Sequence, residues 1–115
     1  MLEVALSEFA TAHAEGAAVV DVREPHEYAR GHVPGAHLVP LGQLRARIHE
    51  LPEGSPLYFI CATGSRSLAA ARHLAALGRP AVSVRSGTMG WVMSGREVSA
   101  VPAPRPADLV EPSLT

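Results

Sequence analysis

Read by the spacing of its apolar residues, the chain alternates short β-branched runs with stretches of helical periodicity. "AAVVDV" (17–22), "LYFIC" (57–61) and "AVSVR" (81–85) are apolar without alternation, the pattern of strands buried on both faces of a parallel sheet. Ser7 is placed to cap a helix running to about Ala14, with Glu8 in its first turn and Gly16 at its end. Leu41, Leu44, Ile48 and Leu51 are separated by Arg45, Arg47, His49 and Glu50, which predicts one helix with an apolar stripe, closed by Pro52 and Gly54. "SLAAARHLAALG" (67–78) predicts an alanine-rich helix ended by Gly78. "SGTMGWVMSG" (86–95) predicts a glycine-flanked turn and a short helix around Trp91. The loop-rich "REPHEYARGHVPGAHLVPL" (23–41) has room for one helical turn near Pro25–Arg30.

Strands that alternate with helices predict an α/β domain with a mainly parallel sheet and right-handed crossovers. Its ligands are expected beyond the carboxyl ends of the strands. After Arg96 the periodicity stops, and four of the ten prolines fall in the remaining stretch. The expected organisation is one domain over 1–98 and an extended or disordered proline-rich tail over 99–115.

Composition narrows this picture without changing it. A chain of 115 residues can close one core, and a net charge of -1 gives no global argument for nucleic acid or a membrane surface. The single cysteine excludes an internal disulfide and points to a reducing cytoplasm. "MLEVALSEF" carries an acidic residue where a signal peptide carries a basic one, and no apolar run approaches the ~20 residues of a membrane span. A soluble, unexported protein is expected.

The cysteine is the chemically informative residue. Cys61 ends an apolar strand, and "ATGSRS" leads from it into a helix. A strand-to-helix loop turns successive backbone N–H groups inward, where the helix dipole adds positive potential. A thiolate seated there is the stabilised anion, with a pKa brought from about 8.5 into the range of ~3.5–7.5. Ala62, Thr63, Gly64 and Ser65 are small enough to curl around sulfur, and Gly64 can take backbone angles closed to the others. Arg66 opens the helix with planar paired donors for an oxyanion, while Ser67 can cap the turn or donate a hydrogen bond. Cys61 could instead be a buried strand-end residue, as free cysteines often are. A structural cysteine, however, does not require glycine three residues on and arginine five residues on.

Three motifs in order resemble the rhodanese-like domains, sulfurtransferases that carry sulfur as a cysteine persulfide. "DVREPHEYARGHVPGA" (21–36) is similar to their N-terminal signature, "CATGSRS" (61–67) to their Cys-x-x-Gly-x-Arg-Ser active loop, and "SGTMGW" (86–91) to their glycine-rich turn ending in tryptophan. The resemblance implies a three-layer α/β domain, with the parallel sheet flanked by helices on both faces. It also implies that Cys61 takes sulfur from a donor such as thiosulfate or a protein persulfide and passes it to a thiol or cyanide acceptor. Cys61 and Arg66 would be catalytic, and Ala62, Thr63, Gly64, Ser65 and Ser67 would bind the anion. No metal or organic cofactor is implied; a protein sulfur carrier could be a partner. Ala62 stands where many members carry a basic residue, which implies either weak affinity for thiosulfate or a less anionic natural donor such as a protein persulfide. Leu38 replaces a common asparagine, and Ser86-Gly87 replaces a glycine pair.

Other residues carry less. Asp21 and Arg23 are expected to form a buried pair supporting the loop, and Trp91 to be core or pocket wall. Glu27 and His32 read as structural, since a pre-ionised thiolate requires no base. His26, His32 and His37 do not have metal-ligand spacing, and no second cysteine exists to complete a zinc site. Three alternatives stand beside sulfur transfer. The first is a non-catalytic module of the same fold. The second is a redox sensor built on an exposed low-pKa thiolate. The third is a cysteine phosphatase or arsenate reductase, whose loop has five residues between cysteine and arginine where this one has four.

Overall fold

Five parallel strands form one sheet in the computed structural model, which describes residues 2–101. In chain order the elements are β1 (Glu3–Val4), α1 (Leu6–Ala14), β2 (Val19–Asp21), α2 (Pro25–Arg30), β3 (His37–Leu38), β4 (Leu57–Ile60), α3 (Ser65–Ala76), β5 (Ala81–Val84) and α4 (Gly87–Met93). The strand order is β1-β5-β4-β2-β3. The three strands read from continuous apolar runs therefore occupy the centre, and their residues are buried throughout.

Alternation along β4 shows why such runs carry no polar face. Leu57, Phe59 and Cys61 enter one core with Ala70, Ala71 and Leu74 of α3, while Tyr58 and Ile60 enter the other with Phe9 of α1 and Trp91 of α4. Each face of the sheet needs an apolar residue, so the period of two disappears from the sequence. The result is the expected α/β architecture with helices on both faces.

Several local expectations are corrected. The 41–51 stripe forms two 3₁₀ turns, Leu41–Gln43 and Ile48–Glu50, and not one helix. Leu44 and Leu51 still reach the core and Leu41 and Ile48 still pack against it. Arg47, at φ -112 and ψ 20, interrupts the helical path between the turns. Spacings of three and four suit a chain of i→i−3 turns as well as an α-helix. Ser7 is not a cap: α1 starts at Leu6 after Ala5 and has no side-chain cap bond, because pairing of β1 with β5 sets where the chain enters the helix. Strands β1 and β3, two residues each, were too short to leave a pattern.

The tail expected over 99–115 begins with described residues and ends outside them. Ser99 makes an antiparallel bridge with His32, and the carbonyl of Val101 lies 2.9 Å from His32 Nε2. Residues 102–115 lie outside the described residues. Among the described residues, no helix is long and apolar enough to cross a membrane.

Candidate active site

Cys61 follows the last residue of β4, and its whole residue is buried at 0% exposure. The chain then turns through Ala62, Thr63 and Gly64 into α3. Gly64 has φ 118, a left-handed conformation that a side chain would strain. This turn brings the N–H of Gly64 back to donate to Cys61 Sγ at 3.0 Å, while Ser67 Oγ, in the first turn of α3, lies 3.3 Å from the same sulfur. Thr63 and Ser65 are exposed at the outside of the loop, and Ala62 and Arg66 are half-buried.

The loop is held from behind by α4. The N–H of Thr88 donates to the Cys61 carbonyl at 2.8 Å, and that of Met89 to the Ala62 carbonyl at 3.0 Å. In a trans peptide the N–H points opposite to the C=O. Fixing these two carbonyls against α4 turns the N–H groups of Ala62 and Thr63 the other way. Gly87, at φ +56, permits the approach: a Cβ there would stand 2.5 Å from the Cys61 carbonyl oxygen and 2.6 Å from that of Ala62.

Burial pushes the Cys61 thiol up, but the Ser67 hydroxyl and the backbone N–H groups of Ser67, Gly64 and Thr63 outweigh it. The net direction is below an ordinary thiol, which is the chemistry of an anion cradle. Arg66 is placed differently from the expectation of free donors. Its guanidinium makes a two-pronged pair with Glu27, Nη1 to Oε1 at 2.7 Å and Nη2 to Oε2 at 3.0 Å. Hydrogen bonding to Arg66 holds the Glu27 carboxyl at about 2, and Glu27 in turn raises Arg66. Glu27 is thus the residue that orients Arg66, and α2 is locked to the start of α3.

Asp21 and Arg23 pair within β2 and its exit. Arg23 Nη2 donates to Asp21 Oδ2 at 2.8 Å and to the Gly31 carbonyl at 2.9 Å, with side-chain exposures of 8% and 0% for Arg23 and Asp21. The pair braces the neighbouring strand end and makes no hydrogen bond to Cys61. Trp91 belongs to the core. Its ring lies 5.6 Å from Phe9 and 5.2 Å from His13, and its indole N–H donates to the Glu97 carbonyl at 2.7 Å. His32 is buried with its Nδ1 at 2.8 Å from the Tyr28 carbonyl.

An open cleft of about 420 Å³ borders the loop at Ala62 and α4 at Thr88, with Arg23, Glu27, Arg30, Met89 and Val92 along its walls. The cleft and the roles of Gly87, Thr88 and Ser83 were not anticipated from the sequence. Ser83 is a buried hydroxyl on β5, 2.7 Å from Ser67 Oγ. Its one sequence signal is a serine in the middle of an otherwise apolar strand.

Fold and site together define a parallel α/β domain whose sole cysteine is seated in an anion-stabilising strand-to-helix loop. The profile of the Rhodanese-like domain family matches residues 6–94. The chain belongs to the rhodanese-like domain family. It is 39% identical over 74 residues to YrkF of Bacillus subtilis (strain 168), covering 64% of this chain and 40% of YrkF, so it spans less than half of that relative's length. It is 31% identical over 90 residues to a sulfurtransferase of Allochromatium vinosum, covering 77% of this chain and 84% of the relative. The crystal structure of a rhodanese-related protein from Thermoplasma volcanium superposes with a TM-score of 0.80 at 29% identity, over 88% of this chain and all of the other.

Proposed function

We propose that the chain is a sulfurtransferase in which Cys61 is the nucleophile. The observation that carries this reading is the seating of Cys61 Sγ against the Gly64 N–H and the Ser67 hydroxyl, in a loop whose residue order matches the family's active loop. The name of the Allochromatium vinosum relative supports the same activity.

With thiosulfate as donor, the Cys61 thiolate attacks the outer sulfur, the sulfur–sulfur bond of thiosulfate breaks, and sulfite leaves with its electron pair. The enzyme then holds a persulfide anion. A cyanide or thiolate acceptor attacks the outer persulfide sulfur, forming thiocyanate or a new persulfide and returning the Cys61 thiolate. The loop N–H groups from Ala62 to Ser67 stabilise the charge in both states, and Arg66, paired with Glu27, ties the start of α3 to α2. Cys61 has no exposed surface, so sulfur exchange requires the loop rim to open. The cleft beside Ala62 is the approach for donor and acceptor. Its walls are more apolar than thiosulfate demands, which favours a protein persulfide or an organic thiol, including one on a protein sulfur carrier. A thiol poised as an anion fits a reducing, cytoplasmic compartment.

Intact mass after incubation with thiosulfate tests the proposal. Wild type is expected to gain one sulfur atom and to lose it to cyanide, and Cys61→Ser to gain none. Equal gain by Cys61→Ser, no gain by wild type with any sulfane donor, or turnover of a phosphate ester without persulfide formation would overturn it.

A further inference from the structure

Behind the cysteine stands a chain of two buried hydroxyls. Ser67 Oγ lies 3.3 Å from Cys61 Sγ, 2.7 Å from Ser83 Oγ and 3.2 Å from the Gly64 carbonyl oxygen. Ser83 Oγ lies 3.4 Å from that same carbonyl. Both serines are 0% exposed, out of reach of bulk solvent.

Each hydroxyl has one proton to give, and this restricts how the chain can run. When the sulfur is a neutral thiol, it is free to donate to Ser67. Ser67 then donates either to Ser83 or to the Gly64 carbonyl. When the sulfur is an anion, Ser67 must turn its proton to Sγ. Its oxygen is then left to accept, and Ser83, at 2.7 Å, is the hydroxyl placed to donate to it. The chain then runs from Ser83 through Ser67 to the sulfur, each bond polarising the next. Removing the Ser83 hydroxyl affects the two states unequally. The neutral state keeps the Gly64 carbonyl as an outlet for the Ser67 proton, whereas the anionic state loses the donor to Ser67 and has no substitute.

We propose that Ser83 is a positioning residue for the Cys61 nucleophile, its hydroxyl directing the Ser67 proton onto Sγ. This rests on Cys61 being the reactive group, as proposed above. The charged groups nearby are Arg66 with Glu27, from α3 and α2, and Asp21 with Arg23, from β2. No substitution in the test touches them.

The test is titration of the Cys61 thiolate by its ultraviolet absorbance, which requires neither access to the sulfur nor a sulfur donor. Ser83→Ala is expected to lower the thiolate population roughly three- to tenfold at a pH below the midpoint. Ser83→Thr and Ser83→Val form a second pair of equal shape, differing in the hydroxyl: the threonine variant is expected to keep the wild-type midpoint relative to the valine variant. In a Ser67→Ala background, Ser83→Ala is expected to add nothing. An unchanged midpoint in Ser83→Ala, equal midpoints for the threonine and valine variants, or a full additional shift in the Ser67→Ala background would overturn the proposal. Persulfide formation is read separately by mass, so a wild type that titrates as expected yet never gains sulfur refutes the sulfurtransferase reading and leaves the role of Ser83 standing.

Discussion

At the scale of single residues, Glu27 and Cys61 each give the site a pH dependence. Glu27 is held at about 2 by Arg66, against an ordinary 4.5. A carboxyl with a depressed pKa in the folded state contributes stability that is complete above its unfolded value and is lost as pH falls through its folded value. That contribution should therefore decline between about 4.5 and about 2. Glu27→Gln should lose about 0.5–1 kcal/mol at neutral pH and lack this acid step, as measured by urea denaturation across pH. Cys61 is an acid of the same sign. Its thiolate is favoured by the fold, so stability relative to Cys61→Ala should rise with pH from the folded midpoint up to the ordinary thiol value of about 8.5. A difference flat in pH would mean that the cradle does not select the anion.

At the scale of elements, the geometry of the site depends on how closely α4 approaches the loop. Gly87→Ala sets a Cβ against the carbonyl oxygens of Cys61 and Ala62, which are backbone atoms and cannot rotate away. The substitution also strains a backbone at φ +56. A loss of roughly 2–3 kcal/mol is expected from thermal or urea unfolding, together with a raised thiolate midpoint as the loop amides move off the sulfur. Local chemistry made part of this legible in advance. The need for glycine at position 64, the strand before it and the helix after it all follow from residues adjacent in the chain. The contact of Gly87 with Cys61 does not, because it joins residues far apart in sequence through the pairing of β4 with β5. Arg66 shows the same limit: its donors were readable, but Glu27 on another helix decides where they point. The 41–51 stripe correctly gave the buried face, while the choice between 3₁₀ turns and an α-helix was made by packing against the sheet.

At the scale of the molecule, the boundary of the folded unit is the least local property of all. Proline content after Arg96 sets the expected end of the domain at residue 98, and just beyond it Ser99 and Val101 bond to the buried His32. The His32 N–H donates to the Ser99 carbonyl at 2.9 Å, and the Ser99 N–H donates to the His32 carbonyl at 2.8 Å. The Val101 carbonyl meets His32 Nε2. His32 is stacked on Tyr28 at 3.6 Å between ring centroids, and the Tyr28 hydroxyl donates to the Ala36 carbonyl. This strap therefore bears on α2, the helix that carries Glu27 to Arg66. Composition could not reveal it, since an extended segment bonded through its backbone leaves no side-chain period. Chains ending after Val98 and after Val101 provide the comparison. The shorter one should be less stable by roughly 2–3 kcal/mol, because three hydrogen bonds are removed and a buried imidazole nitrogen loses its partner. Its denaturant dependence should keep nearly the same slope. Equal midpoints for the two chains would place the boundary at residue 98 and reduce the strap to a surface contact. A shorter chain that is less stable and also titrates its thiol at higher pH would show the strap acting through α2 on the sulfur site.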